Sequence, residues 1–347
     1  MARIILRWRR ELNNPSSETL LGTRRQLKDC MSHLQEIKRD RVRGGAFVEM
    51  LNLLKQFLTA AQLEGVSDLD ILEIFGIMCV NTIHISNDDD SFGCALYLAP
   101  SLIDHSCYPN LTATFKGQKI VLKVLRPCEP KTVADLSLAY MPVCTTKERR
   151  RKTLREEYYF TCECEMCSGK VPEVLSEADP KLTDEVLELE KLSLDLSSPE
   201  NHRKALKGVE ELLSTKLKDL DDSDVAKFRA ILVAADASVC ASSYDRAYNY
   251  YSRSLPVMKR VFTENKAEYA YKLVRLARLS TIVVKTSQDP EVFGPLIALL
   301  QEAVRVTRIA LGEDHSDTKD VALLYEELRA WWWLRQRAER QSAGGDE

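Results

Sequence analysis

The chain has 347 residues, 45% hydrophobic and 29% charged, with 49 Lys and Arg against 52 Asp and Glu and a formal net charge of −3. This balance describes a globular protein long enough for two or three domains and excludes a collagen-like or disordered chain. It provides no overall attraction to nucleic acid or anionic membrane, so binding to either would need a local patch.

No apolar run approaches the roughly 18 residues that a membrane span requires, and the Arg-interrupted segment 1–14 is too short for a signal peptide. A protein of the cytoplasm and nucleus is expected. In such a compartment ten cysteines serve as thiols or metal thiolates rather than as a disulfide framework.

Residues 1–44 carry 11 basic against 5 acidic residues and lead into a helical pattern. Phe47, Met50, Leu51, Leu54, Phe57, Leu58 and Ala61 recur at the three- and four-residue spacing of one buried helix face. The run from Leu69 to Val80 is apolar nearly all round, as a core helix is, with Ser67 or Asp68 as its cap. Residues 1–80 therefore read as a small helical region.

Asn87, Asp88, Asp89 and Asp90 read first as a solvated loop, with a charge that would also suit a basic peptide. Short apolar or alternating runs follow over 94–98, 111–115, 119–125 and 136–140, and Lys116-Gly117-Gln118 supplies a tight hairpin turn between the middle two. A charged helix over 146–157 then presents Arg149, Arg150, Arg151 and Lys152. Its default reading is a solvated face rather than a nucleic-acid site.

Cys162, Cys164 and Cys167 place three thiols within six residues, a spacing that lets them share a tetrahedral ion at little loop-closure cost. Spacing alone leaves the fourth ligand open among His105, Cys107, Cys128 and Cys144. Cys30, Cys79, Cys94 and Cys240 lie on apolar faces and read as small core residues. Pro172 to Pro180 reads as a linker. Beyond it helices are expected at about 182–196, 201–218, 222–241, 244–262, 266–286, 291–312 and 316–340, with Gly312 ending one and Ser316 opening the next. This is the texture of stacked helical hairpins without a clean period.

Three segments carry a resemblance: Asp104-His105-Ser106-Cys107-Tyr108-Pro109-Asn110, Leu136 to Tyr140, and Tyr158-Tyr159-Phe160-Thr161-Cys162 through Cys167. Together they resemble the second half of a SET domain with its post-SET zinc cluster, and the flanking helices are similar to those of the SET and MYND domain-containing lysine methyltransferases. The resemblance implies an α+β, mostly helical fold. Its parts would be a helical SET insert over 1–80, the C-terminal half of the SET core over 81–142, a post-SET zinc segment over 143–170, a tetratricopeptide-like helical domain over 175–341 and a disordered tail over 342–347.

The same resemblance implies an S-adenosylmethionine-dependent protein-lysine methyltransferase acting on histones or other basic proteins. It makes Tyr140 the active-site tyrosine and Cys107 the fourth ligand of one structural zinc beside Cys162, Cys164 and Cys167. Asn81, His105, Phe160 and Asp104, the last standing where the family has Asn, would contact the methyl donor, and Tyr158 would line the lysine channel. It also implies a chain that starts part-way into such a protein, without the Gly-rich first SET motif or the zinc-binding MYND finger. Such a chain would be a fragment, an isoform or a degenerate relative with impaired donor binding.

Taken singly, Tyr140 would pass as an amphipathic rim residue, His105 as a turn histidine and Asn81 as a helix-end cap. The competing functional reading is non-enzymatic: a zinc-clasped SET remnant joined to a helical-repeat scaffold that binds peptides.

Overall fold

The computed structural model describes residues 1–86, 91–195, 198–262, 266–286 and 293–343. Asp88, Asp89 and Asp90 lie outside them. The chain forms two compact units, one of Met1–Pro142 with Lys147–Val171, the other of Val143–Thr146 with Pro172–Glu347.

In the first unit, α1 (Ala2–Glu11), α3 (Arg41–Phe57), α4 (Ala60–Leu63) and α5 (Asp68–Asn81) gather around a core, and α2 (Leu34–Arg39) packs against α3 and α5. That core is made of Ile5, Leu54, Leu58, Ile71 and Ile74, with Trp8, Phe47 and Leu51 packed against it. Phe57, expected on the buried face of α3, is instead 80% exposed. The helix ends there, and Leu58 leaves it in extended backbone and enters the core.

Ser67 caps α5 reciprocally: its hydroxyl accepts from the Asp70 N–H at 3.1 Å and its own N–H donates to the Asp70 carboxylate at 2.7 Å. Gly76 on α5 meets the backbone of Ser32 so closely that an added Cβ would lie 2.1 Å from the Ser32 carbonyl oxygen.

Residues 1–80 are not wholly helical. β1 (Glu18–Leu20) and β2 (Thr23–Arg25) form an antiparallel hairpin turned by Leu21 at φ 45° and Gly22 at φ 79°. Three-residue strands carry too short an alternation to show in the sequence, and Leu rarely signals a left-handed turn position.

β3 (Thr82–Ser86) pairs antiparallel with β4 (Ser91–Leu96), and β6 (Leu111–Lys116) with β7 (Lys119–Val124) through the expected turn at Gly117. The pairing that positions the site is the shortest one. β5 (Asp104–His105) lies parallel to β8 (Ser137–Leu138), with His105 opposite Leu138 and the Ser106 N–H donating to the Leu138 carbonyl at 2.9 Å. Ile103, Leu111, Val133, Leu136 and Leu138 bury themselves beneath it, with Tyr140 packed against them. Tyr140 stands two residues beyond the end of β8 rather than on the strand itself.

In the second unit, α7 (Pro180–Leu194), α8 (Pro199–Ser214), α9 (Val225–Cys240), α10 (Tyr244–Phe262), α11 (Ala267–Thr286), α12 (Phe293–Ala310) and α13 (Ser316–Ala343) follow the expected order. Each packs against the next, and α7 and α11 also reach α9 and α13 respectively, as stacked helical hairpins do. Ala205, Ala226, Ala230, Ala234 and Ala237 are buried where α8 meets α9, and their small side chains let the two backbones approach.

Asp179 and Asp224 cap α7 and α9 with their carboxylates. Gly312, at φ 100°, ends α12 by donating its N–H to the Thr307 carbonyl. The stretch read as a linker carries a bridge of its own, Ser176 against Asp224. Helix α13 runs through Ser342 to Ala343, where a disordered tail was expected; residues 344–347 lie outside the described part. No helix among the described residues is long and apolar enough to cross a membrane.

The expectation that Cys30, Cys79, Cys94 and Cys240 are core residues holds for Cys30. Cys79 is half-buried, and Cys94 and Cys240 are exposed, because neither strand β4 nor the end of α9 is covered at those positions.

Candidate functional site

Of the cysteines and histidine left open by spacing, the fold brings Cys107 to the others. The Sγ atoms of Cys107, Cys162, Cys164 and Cys167 all lie within 4.8 Å of one another. Cys107 Sγ stands 3.9 Å from that of Cys162 and 3.6 Å from that of Cys167, and the Cys107 N–H donates to Cys164 Sγ at 3.4 Å. Four thiolates around a zinc ion with Zn–S bonds of about 2.3 Å would sit about 3.8 Å apart. The cluster is therefore consistent with a tetrahedral zinc site.

Cys107, Cys162 and Cys167 are buried. Without a cation the sulfurs cannot all ionise. Hydrogen bonds from Cys107 and Cys162 hold the Cys164 thiol far below its usual range, while bonding to Cys162 and Cys164 pushes the Cys107 thiol far above it. A divalent cation would remove that conflict. Cys144 belongs to the second unit, where burial pushes its thiol up to about 12.

Helix α6 (Lys147–Tyr158) supports the cluster with basic residues that the sequence suggested were solvated. Arg150 is 1% exposed, and its positive charge favours the ionised form of Cys107. Arg151 donates from Nε to the Cys162 carbonyl at 3.0 Å and from a terminal nitrogen to the Cys167 carbonyl at 3.4 Å. The reading of these two arginines as a solvated face is thus corrected. The available signal was that Arg150 stands four residues before buried Leu154, on the same face of α6.

His105 and Tyr140 meet where β5 and β8 end. The Tyr140 N–H donates to His105 Nδ1 at 3.0 Å, and His105 Nε2 stands 3.3 Å from Cys107 Sγ. The Tyr140 hydroxyl donates to the Ile103 carbonyl at 2.6 Å. Burial first, then the negative charge of Asp104, push the Tyr140 phenol well above its ordinary range, so it stays neutral. Asp104 itself is exposed.

Tyr158 and Phe160 flank this pair. The Tyr158 ring lies 5.2 Å from that of Tyr140 and its hydroxyl donates to the Tyr140 carbonyl at 3.1 Å; the Phe160 ring lies 6.0 Å from that of His105. Between them Tyr159 adopts left-handed backbone at φ 61°, which sends its side chain away to α3. There Arg43 donates to its hydroxyl at 3.0 Å and to the Glu157 carbonyl at 2.6 Å. Asn81, at the end of α5, donates both amide hydrogens, to the Met31 and Ile77 carbonyls at 2.8 Å each. Both acceptors lie outside the Tyr140 group. Neither Arg43 nor the carbonyls of Met31 and Ile103 could be found from the sequence, since nothing local marks them.

The chain has relatives of known name. It is 25% identical over 319 residues to the mouse (Mus musculus) histone-lysine N-methyltransferase SMYD3, covering 91% of this chain and 72% of the relative. The chain is homologous to the SET and MYND domain-containing lysine methyltransferases. A zebrafish (Danio rerio) relative, N-lysine methyltransferase SMYD2-B, is 24% identical over 329 residues, covering 91% of this chain and 72% of the other. The human (Homo sapiens) SMYD2 is 22% identical over 328 residues, 90% of this chain and 72% of its own. No family model matches the chain. Homology to SET and MYND domain-containing enzymes thus spans both compact units rather than the cysteine-rich segment alone.

Proposed function

We propose that this chain is an S-adenosylmethionine-dependent protein-lysine methyltransferase that acts on histones or other basic proteins in the cytoplasm and nucleus. The observation that carries the reading is the convergence of Tyr140, Tyr158, His105 and Phe160 at the paired ends of β5 and β8, beside a four-thiol cluster. Within it, 1–80 serves as the helical insert, 81–142 as the SET core, 143–170 as the zinc segment and 175–341 as a helical scaffold that offers surfaces to peptide partners.

The residues suit the donor. With both amide hydrogens of Asn81 committed to carbonyls, its Oδ1 is left to accept from an ammonium. Phe160 against His105 presents an aromatic wall suited to a nucleobase. Asp104 offers a carboxylate where the family has an amide, and it accepts only.

When bound, S-adenosylmethionine supplies a methyl group on a positively charged sulfur. The chain's own groups align and desolvate the amine that receives it. Because the Tyr140 hydroxyl hydrogen points to the Ile103 carbonyl, the oxygen lone pairs are left for the amine and the developing positive charge. Its raised pKa makes Tyr140 an orienting group rather than a base. The Tyr140 and Tyr158 rings exclude water and favour the uncharged lysine, and positioning supplies much of the acceleration. Zinc at Cys107, Cys162, Cys164 and Cys167 is structural: it fastens the segment bearing Tyr158 and Phe160 to the loop after β5.

Calorimetric titration with S-adenosylmethionine and a tritiated methyl-transfer assay on mixed histones test the proposal. Tyr140→Phe should lower turnover by about a hundredfold with the fold intact by circular dichroism. Absence of donor binding would leave the non-enzymatic scaffold reading in its place, and unchanged turnover in Tyr140→Phe would remove that residue from the site.

A further inference from the structure

Two polar contacts of His105 involve opposite nitrogens of its ring. Its Nδ1 receives the Tyr140 N–H at 3.0 Å, and its Nε2 faces Cys107 Sγ at 3.3 Å. A backbone N–H can only donate, so Nδ1 must be bare. The neutral ring then carries its hydrogen on Nε2, directed at the sulfur. The network rather than an observed hydrogen assigns this tautomer, and it admits no other neutral form.

The ring is held in that orientation from three sides. β5 and β8 fix its backbone by pairing His105 with Leu138, the Tyr140 ring stands edge-on at 5.3 Å, and Phe160 closes a further side at 6.0 Å. A hydrogen bond to a metal-bound thiolate withdraws electron density from sulfur, and the sulfur in turn holds the donor in place. One imidazole thus links a metal-site sulfur to the backbone of the tyrosine two residues beyond β8.

We propose that His105 is a positioning residue that couples the metal clasp to the active-site tyrosine: a metal held at the four cysteines orients the ring through Cys107, and the ring fixes the backbone of Tyr140. The proposal rests on the zinc and Tyr140 assignments made above. It assigns the polar atoms of His105 to the protein, so that only its ring face and backbone are left for a methyl donor.

Two substitutions separate the two halves of the link. His105→Asn keeps an acceptor at the position of Nδ1 and loses the donor to sulfur; His105→Gln reaches sulfur with an amide N–H and loses the acceptor. The full chain is loaded with cobalt(II), its metal content is measured, and the thiolate-to-cobalt charge-transfer band is recorded. Hydrogen exchange at the Tyr140 amide is followed by fragmentation mass spectrometry, with and without metal.

His105→Asn should move the band to lower energy and leave the Tyr140 amide protected. His105→Gln should keep the band and raise Tyr140 exchange by about tenfold. Removing the metal from the unsubstituted protein should raise Tyr140 exchange about as much while changing the Ser106 amide, which is bonded to Leu138, far less.

If the chain takes up no metal, the zinc assignment and the coupling fall together. If metal binds but the band and the Tyr140 amide respond to neither substitution, or Ser106 and Tyr140 loosen equally on metal removal, the coupling alone is overturned. Should both variants fail to fold, the comparison of Tyr140 with Ser106 in the unsubstituted protein decides.

Discussion

Arg43 and Tyr159 lie 116 positions apart in the chain, yet the guanidinium donates to the phenol oxygen at 3.0 Å and stands 5.0 Å from the ring centroid. The clasp holds Tyr159 in left-handed backbone, and that reversal is what sends Tyr158 to Tyr140 and Phe160 to His105. Strain is thus held in one residue so that its two neighbours face the site.

Replacing Tyr159 separates the strain from the clasp. Tyr159→Ala loses the hydrogen bonds and keeps the unfavourable backbone, so it should destabilise the first unit by about 2–3 kcal/mol. Tyr159→Gly loses the same contacts but relaxes the backbone and should recover about 1 kcal/mol of that. Urea denaturation of the two variants checks the order; an alanine variant as stable as the glycine variant would show that the conformation costs nothing.

Gly76→Ala should be among the most disruptive small substitutions in the chain. Its Cβ would fall 2.1 Å from the Ser32 carbonyl oxygen, which is backbone and cannot rotate aside. A loss of about 2–3 kcal/mol is expected. The displaced loop also carries the Met31 carbonyl that receives the Asn81 amide, so donor binding should weaken even where folding survives. Calorimetry on the folded fraction reads that second effect.

The purified protein should contain about one zinc per chain, lost in Cys164→Ser. Because the ligands must be deprotonated, acid should release the metal and its uptake should liberate protons. Elemental analysis and a chromophoric chelator follow both. A stably folded chain without metal would contradict the assignment.

In the second unit, Asp222 accepts from Arg253 at 2.8 and 2.6 Å and lies 3.4 Å from the Lys227 ammonium. The Arg253 hydrogen bonds hold its carboxyl below the ordinary range. A depressed folded-state pKa contributes stability above the unfolded value of about 3.9, and that contribution disappears as pH falls through the folded value. Asp222→Asn should therefore cost up to about 1 kcal/mol at neutral pH, with solvent screening included. The difference from the unsubstituted protein should vanish in strong acid, as thermal melts at a series of pH values would show.

Most features that depend on neighbours along the chain are legible in its residues, the short β1–β2 hairpin excepted. Periodicity marked α5 and α7 to α13; Ser67 and Gly312 set helix ends by local hydrogen bonds and backbone freedom; Gly117 set the β6–β7 turn; and the spacing of Cys162, Cys164 and Cys167 announced a thiol cluster suited to a metal. The family motif then pointed to Cys107.

Which distant groups meet is settled by the folded chain. β5 and β8 are two residues each, too short for any period to register, yet their pairing sets His105 beside Tyr140. Arg150 looks like a solvated charge until the buried sulfurs are placed beside α6, and Phe57 looks like a core residue until a helix end exposes it. Side-chain period and capping are properties of one segment, whereas burial and hydrogen-bond partnership are properties of two, and the second segment is not written in the first.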